Sequence, residues 1–191
     1  MSGNNQIDRW NEKYQQERYN TFFGPRQFLI DHQKLLPREG KALDVAMGLG
    51  GNAGYLIEHG LSVIGVDVSS VAVQKAKKRF PQIMAVQADL NHFYFPKSYY
   101  DVIINFFYLQ RDIFPRFINS LRPGGLLIIE TMTTDMLQIK PEIDPEYLLA
   151  PGELHGIFAS SMEIITYQEG WTHSRTQHRR AVAGLVARLP G

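Results

Sequence analysis

Three aspartates and a cluster of glycines are the residues best placed for chemistry. Asp44, Asp67 and Asp89 recur at near-equal intervals, and Gly48, Gly50 and Gly51 stand between the first two. Glycines let the backbone approach a ligand closely, and the start of a helix offers free N–H groups. An acid about 20 residues further on can accept two hydrogen bonds from a ribose diol. The pattern therefore implies a ligand that contains a nucleoside. Asp44 lies inside an apolar run, and a buried carboxylate needs a partner, which a ligand ammonium or the N–H groups of the turn could supply. Asp89 is placed where an exocyclic adenine amine could be met.

These residues need a sheet to position them. Ala42, Leu43 and Val45 form a short apolar run before the glycines, Asn52 can cap the helix that follows, and Val63, Ile64 and Val66 return as a buried strand ending at Asp67. Lys41 to Ser69 thus reads as strand, turn, helix, strand. Ser69 caps a further helix with Val71, Val73 and Ala76 toward the sheet and Lys75, Lys77, Lys78 and Arg79 on its solvent side and in its last turn. Strands follow at Ile83–Gln87, Tyr100–Asn105 and Leu126–Glu130, with a helix at Ile113–Leu121 stopped by Pro123, Gly124 and Gly125.

Two helices precede this core. Ile7–Arg18, with Asp8 as N-cap, carries Ile7, Trp10 and Tyr14 near one face, either packing on the sheet or forming an aromatic lid. After a break at TFFGP, Arg26–Leu36 points Phe28, Leu29 and Leu35 inward. Thr131–Gly152 is polar and proline-punctuated, too irregular for a core element and long enough for a functional loop. A short helix at Glu153–Ala159 and an antiparallel hairpin, Met162–Gln168 with Arg179–Val186, close the chain.

Composition sets outer bounds. The chain has 191 residues, 44% hydrophobic content, a formal charge of +1 and no cysteine. One domain is expected, without disulfides, thiolate metal sites or a cysteine nucleophile. Near-neutral charge argues against a broad nucleic-acid-binding face. No apolar run approaches the roughly 20 residues that span a bilayer, and the polar start has no signal-like apolar stretch, so a cytoplasmic protein without membrane contact is expected. The six histidines show no ligand-like spacing, and no metal is expected.

GLGGNA, Gly48–Ala53, formally satisfies the dinucleotide fingerprint, so a nicotinamide-dependent oxidoreductase stays open. Asp44 in the strand, Asp89 after the third strand, and a closing hairpin in place of a second mononucleotide unit favour a nucleoside joined to an amino acid. LDVAMGLGGNA, GVDVS, QADL, YDVIIN and LRPGGLLIIE, in this order, resemble the successive motifs of class I S-adenosylmethionine-dependent methyltransferases. WNEKY, FFGP, YLLAPGEL, ITYQEG and RRAVAGLVAR further resemble the tellurite-resistance and thiopurine-type small-molecule methyltransferases. Ala46 stands where many class I enzymes have the first glycine, and Met47 where the subgroup often has cysteine.

The resemblance implies an α/β fold: a doubly wound, mostly parallel, seven-stranded Rossmann-like sheet with an antiparallel C-terminal strand. It would form a single domain, with residues 1–40 a helical cover, 41–130 the cofactor core and 131–191 the substrate loop and hairpin. It implies S-adenosylmethionine as cofactor and S-adenosylhomocysteine as product. The backbone at Ala46, Gly48 and Gly50, near Asn52, would cradle the methionine part, and Asp44 would orient it. Asp67 would take the ribose, Val68 the adenine face, Asp89 and Leu90 the adenine edge. Asn105 would offer its carbonyl to the ammonium, and Tyr14, with Trp10, would close over the cofactor.

In-line transfer to a soft nucleophile needs positioning within about 3 to 3.5 Å more than it needs a general base. Acceptor-side candidates are Tyr19, Tyr108, Arg111 and His155, with Met132, Met136 and Phe158 lining the pocket. The expected partner is a small-molecule acceptor, and the expected state a monomer or weak dimer. A non-catalytic module that binds S-adenosylhomocysteine is the remaining alternative.

Overall fold

Short apolar runs rich in valine, isoleucine and leucine form parallel strands buried on both faces, and amphipathic segments between them cover the sheet. The computed structural model describes residues 3–17, 24–173 and 177–191; Tyr19 lies outside them. Its strands form one seven-stranded sheet and its chain forms two compact units, residues 1–95 and 96–191.

The first unit contains α1 (Gly3–Gln15), α2 (Gln27–Asp31), β1 (Lys41–Val45), α3 (Gly51–Glu58), β2 (Ser62–Asp67), α4 (Ser70–Arg79) and β3 (Met84–Gln87). β2 pairs in parallel with β1, Leu43 opposite Ile64, and with β3, Val66 opposite Val86. Ser69 caps α4 as expected, its hydroxyl accepting from the Ala72 N–H at 3.1 Å. Four local expectations need correction. Helix α1 starts at Gly3, so Asp8 sits within it and caps nothing. The second helix is α2 followed by a 3₁₀ turn at Gln33–Leu35, which buries Leu36 instead of Leu35. Ala72 and Ala76, not Val71 and Val73, are the fully buried residues of α4. Asn52 does not cap α3: Gly50, in the left-handed region, occupies the cap position, and Asn52 Oδ1 accepts the Arg26 N–H at 2.8 Å.

Helix α1 is fastened to α4 by polar groups whose partners are distant in sequence. Asn11 Oδ1 accepts from the Ser69 hydroxyl at 2.8 Å and, at 3.4 Å, from the Ser70 hydroxyl and the Val71 N–H. Lys75 Nζ donates to the Tyr14 carbonyl at 2.6 Å. Trp10 stacks on Tyr14 at 5.6 Å, and Lys13 Nζ lies over the Trp10 ring.

The second unit contains β4 (Tyr100–Phe106), α5 (Phe114–Ser120), β5 (Leu121–Met132), α6 (Glu153–Phe158), β6 (Glu163–His173) and β7 (Arg179–Arg188). β4 and β5 are parallel, while β7 runs antiparallel to both β5 and β6. The sheet order is β3-β2-β1-β4-β5-β7-β6, the expected mostly parallel sheet with its antiparallel strand near the C-terminus. β5 starts earlier than expected: Leu121 pairs with Tyr100, and the register shifts before Val102 meets Leu126. The Pro123-Gly124-Gly125 stretch is thus an irregularity within the strand, held by the Gly124 N–H to the Leu189 carbonyl at 2.8 Å.

Residues 131–152 also differ from expectation. They carry a small core of their own: Met136 and Leu148 pack with Ala181, and Met132, Leu137, Ile143 and Trp171 surround them. Arg111 clasps the segment's end, Nε and Nη2 reaching Glu153 Oε1 and Oε2 at 2.5 and 2.9 Å. Nη1 and Nη2 also donate to the Glu146 and Leu148 carbonyls, each at 3.0 Å. The Arg111 hydrogen bonds hold the Glu153 carboxyl below its usual range. Replacement Arg111→Gln removes the fork that grips side chain and backbone together. Faster limited proteolysis between residues 139 and 152, with cleavage elsewhere unchanged, is the expected outcome.

Candidate functional site

β1 ends in a turn that alternates into the left-handed region, with φ of +54° at Ala46, +55° at Gly48 and +76° at Gly50. The Met47 N–H donates to the Val66 carbonyl at 2.9 Å and the Gly50 N–H to the Met47 carbonyl at 3.0 Å, which ties the turn to the end of β2. Glycine is needed at Gly50, where a Cβ would come within 3.0 Å of both Ile83 and Ala76. At Gly48 the left-handed φ favours glycine, and a Cβ there would lie 2.8 Å from Tyr14 Oη. Tyr14 therefore closes directly over the glycine turn.

Ala46 adopts the left-handed conformation without being glycine, which costs an L-residue about 1–2 kcal/mol. Ala46→Gly relieves that strain at the expense of more freedom in the unfolded chain. A net gain of about 0.5–1 kcal/mol, read from urea denaturation, is expected.

Two carboxylates frame the turn. Asp67, 5% exposed, accepts the Gly48 N–H with Oδ2 at 2.8 Å and the Ser69 N–H with Oδ1 at 2.9 Å, clasping the turn to the first residues of α4. Burial raises its pKa against the lowering effect of those amides. Asp44, 1% exposed, has one oxygen near the Ala53 N–H and the other, Oδ2, buried with no hydrogen-bond partner. Desolvation pushes its pKa up to about 8; the Ala53 N–H opposes this, Asp67 adds to it, and Arg26 offsets part of it. Leu90 is buried, and Asp89 closes an Asx turn on the Asn91 N–H at 2.9 Å with His92 nearby. Val68 is half-buried, its carbonyl accepting from Gln87 Nε2 at 3.4 Å.

In the second unit, Asn105 is fully buried and both atoms of its carboxamide are unpartnered. After it the backbone turns sharply at Phe107, φ +57°, whose N–H donates to the Glu130 carbonyl at 2.9 Å. Each acceptor-side candidate among the described residues has a side-chain partner of its own. Tyr108 donates to Gln110 Oε1 at 2.5 Å, Arg111 grips Glu153, and His155 is exposed with its ring edge on Tyr167 at 5.3 Å. Phe158, expected in the pocket, is core packed on Phe114, and Met136 is buried with its sulfur accepting the Ala181 N–H. Asn11 carries a polar role that no spacing rule exposed. Among the described residues no group of three His, Asp or Glu could hold a metal ion.

The glycine turn, the clasping acid that ends β2 and the orphaned acid in β1 all lie in a stretch similar to a known domain type. Residues 42–125 match the sequence profile of a methyltransferase domain. Relatives of that stretch are named for S-adenosylmethionine, and one solved neighbour of the fold holds S-adenosylhomocysteine. Among curated relatives, one from Mycobacterium tuberculosis named "Probable S-adenosylmethionine-dependent methyltransferase" is 30% identical over 114 residues, 56% of this chain and 41% of that protein. A demethylmenaquinone methyltransferase from Beutenbergia cavernae is 28% identical over 115 residues, 57% of this chain and 47% of that one. The chain spans less than half the length of these curated relatives.

Solved structures share the fold. An S-adenosylmethionine-dependent methyltransferase from Mesorhizobium loti superposes with a TM-score of 0.66 at 18% identity, covering 83% of this chain and 96% of that one. A phosphoethanolamine N-methyltransferase from Haemonchus contortus, solved with phosphomonomethylethanolamine and S-adenosylhomocysteine, gives 0.69 at 17% identity, covering 91% and 56%. Among the described residues no helix is long and apolar enough to cross a membrane.

Proposed function

We propose that the chain acts as one methyltransferase domain that moves a methyl group from S-adenosylmethionine to a small-molecule acceptor. The observation that carries the cofactor assignment is Asp44 Oδ2, buried without a partner directly before a turn of left-handed backbone. An orphaned buried carboxylate oxygen is costly unless a ligand group meets it, and an ammonium suits it best. In the second unit, taken by itself, the unpartnered Asn105 carboxamide is costly in the same way.

Ala46, Gly48 and Gly50 would hold the methionine part and Asp44 would orient its ammonium. Asp67 would receive a ribose hydroxyl with the acceptor capacity its two amide bonds leave free. Val68, Asp89 and Leu90 would bound the adenine, and Tyr14 would cover the turn. Bound there, a sulfonium supplies an electrophilic methyl group and a neutral thioether leaving group. The protein's own task is to hold donor and acceptor in line and keep water out. The flanking motifs that resemble those of tellurite-resistance and thiopurine-type enzymes support a small, soft nucleophile as acceptor.

Thermal shift with S-adenosylmethionine, S-adenosylhomocysteine and NAD(H) tests the cofactor, since a ligand that binds only the folded state raises Tm. A rise with NAD(H) alone would overturn the assignment. Labelled methyl transfer to a panel of thiols, selenols, tellurite and amines tests the reaction; binding with no transfer to any of them would reduce the chain to a binding module.

A further inference from the structure

The end of the second unit holds a cation that the cofactor assignment does not use. β7 runs antiparallel to β5, so its first residues lie beside the carboxyl end of β5, the edge where open α/β sheets bind ligands. Met132 pairs with Val182 and Glu130 with Gly184, which puts Arg180 just past the last paired residues, on the same strand face as Glu130. Its guanidinium lies 5.1 Å from the centre of the Phe107 ring, at the carboxyl end of β4. Among the described residues it makes no hydrogen bond and no ion pair within 4.0 Å.

Its neighbour behaves differently. Arg179, on the opposite face, is exposed and lies 3.9 Å over Trp171. Arg180 is half-buried, and burial lowers its pKa while Glu130 offsets part of that effect. A guanidinium drawn partly out of water with its donors unused is costly unless an oxyanion meets the fork. The Phe107 ring fixes its plane and offers a flat apolar wall beside it. Phe107 itself is held at φ +57°, backbone strain of the kind that collects at ligand sites.

We propose that Arg180 recognises an anionic oxygen group on the methyl acceptor, a carboxylate or comparable oxyanion, with Phe107 against the acceptor's apolar part. This rests on the methyltransferase reading for the word "acceptor", while the anion site stands on the geometry alone. Glu130 tunes it, because a carboxylate on the same face weakens the pull on an anion and disfavours doubly charged ones.

The probes are benzoate, inorganic phosphate and neutral benzamide, titrated by calorimetry into the full chain with and without S-adenosylhomocysteine. Benzoate should bind, inorganic phosphate more weakly because much of it is doubly charged, and benzamide at least tenfold more weakly than benzoate. Arg180→Gln should weaken the bound anion at least tenfold, Arg180→Lys by less, and Glu130→Gln should tighten it. S-adenosylhomocysteine affinity should stay within twofold in both Arg180 variants, which also reports that they fold. No anion binding by the unaltered chain, or equal affinity in Arg180→Gln, overturns the proposal. Failure of S-adenosylhomocysteine to bind would count against the cofactor assignment only, since the titration without it decides the role of Arg180 by itself.

Discussion

Asp44→Asn should make the unliganded protein more stable at pH 8 and at the same time weaken S-adenosylhomocysteine at least tenfold. The two effects share a cause. Burial holds the Asp44 carboxyl at a pKa of about 8, above its ordinary 3.8, so the folded chain keeps a proton that the unfolded chain releases. The stabilising contribution is complete below about pH 4 and is lost as pH rises toward 8, because the folded state binds the extra proton throughout that window. By pH 8 the fold carries much of the cost of a desolvated carboxylate with one oxygen unpartnered. An asparagine removes the charge while leaving an oxygen for the Ala53 N–H. The gain at pH 8 should be on the order of 2–4 kcal/mol, or roughly 5–10 °C in Tm for a chain of this size. At pH 4 the two proteins should melt close together. Parallel melting curves across the whole range would show that Asp44 titrates normally, and unchanged affinity would remove its role in orienting the cofactor.

Much of this site could be read from the residues because it is local in sequence. Strand, glycine turn, helix and acid between Lys41 and Ser69 signal through short-range rules, and the observed strands β1 and β2 end where the apolar runs end. Cap positions were harder. Asn52 has the right side chain, but Gly50 supplies the left-handed backbone one turn boundary earlier, and backbone geometry outranked the side-chain preference. Asp8 lost its role because α1 continued upstream through GNNQ, where helix propensity alone gives little signal.

Long-range contacts left the faintest trace. Asn11 reaches Ser69 across 58 residues, and Arg111 reaches Glu153 across 42. Neither link has a period or a spacing rule. The segment after β5 misled for a related reason: Met136 and Leu148 find their apolar partner in Ala181, which only the hairpin's return brings beside them. Acceptor recognition depends on such distant pairings. Arg180 and Phe107 are far apart in sequence and meet through the register of β4, β5 and β7.

Asp67→Ala should have the opposite sign from Asp44→Asn, although both remove a buried acid whose pKa is raised. The difference lies in what each carboxylate satisfies. Asp44 leaves one oxygen orphaned, whereas both Asp67 oxygens accept amide hydrogens, from Gly48 and from Ser69. Alanine would leave those two N–H groups buried and unpaired, each at a cost of about 1–3 kcal/mol, for a loss of roughly 3 kcal/mol overall. Tm should fall by roughly 6–12 °C. Asp67→Asn retains one acceptor and should fall between. Because the Gly48 amide also sets the turn that Tyr14 covers, S-adenosylhomocysteine affinity should drop at least tenfold in Asp67→Ala, even well below its melting point. A variant that melts like the parent would show that the clasp is not structural. One that melts early yet binds S-adenosylhomocysteine with full affinity would leave Asp67 as a brace between the turn and α4, and the ribose would have to be held elsewhere.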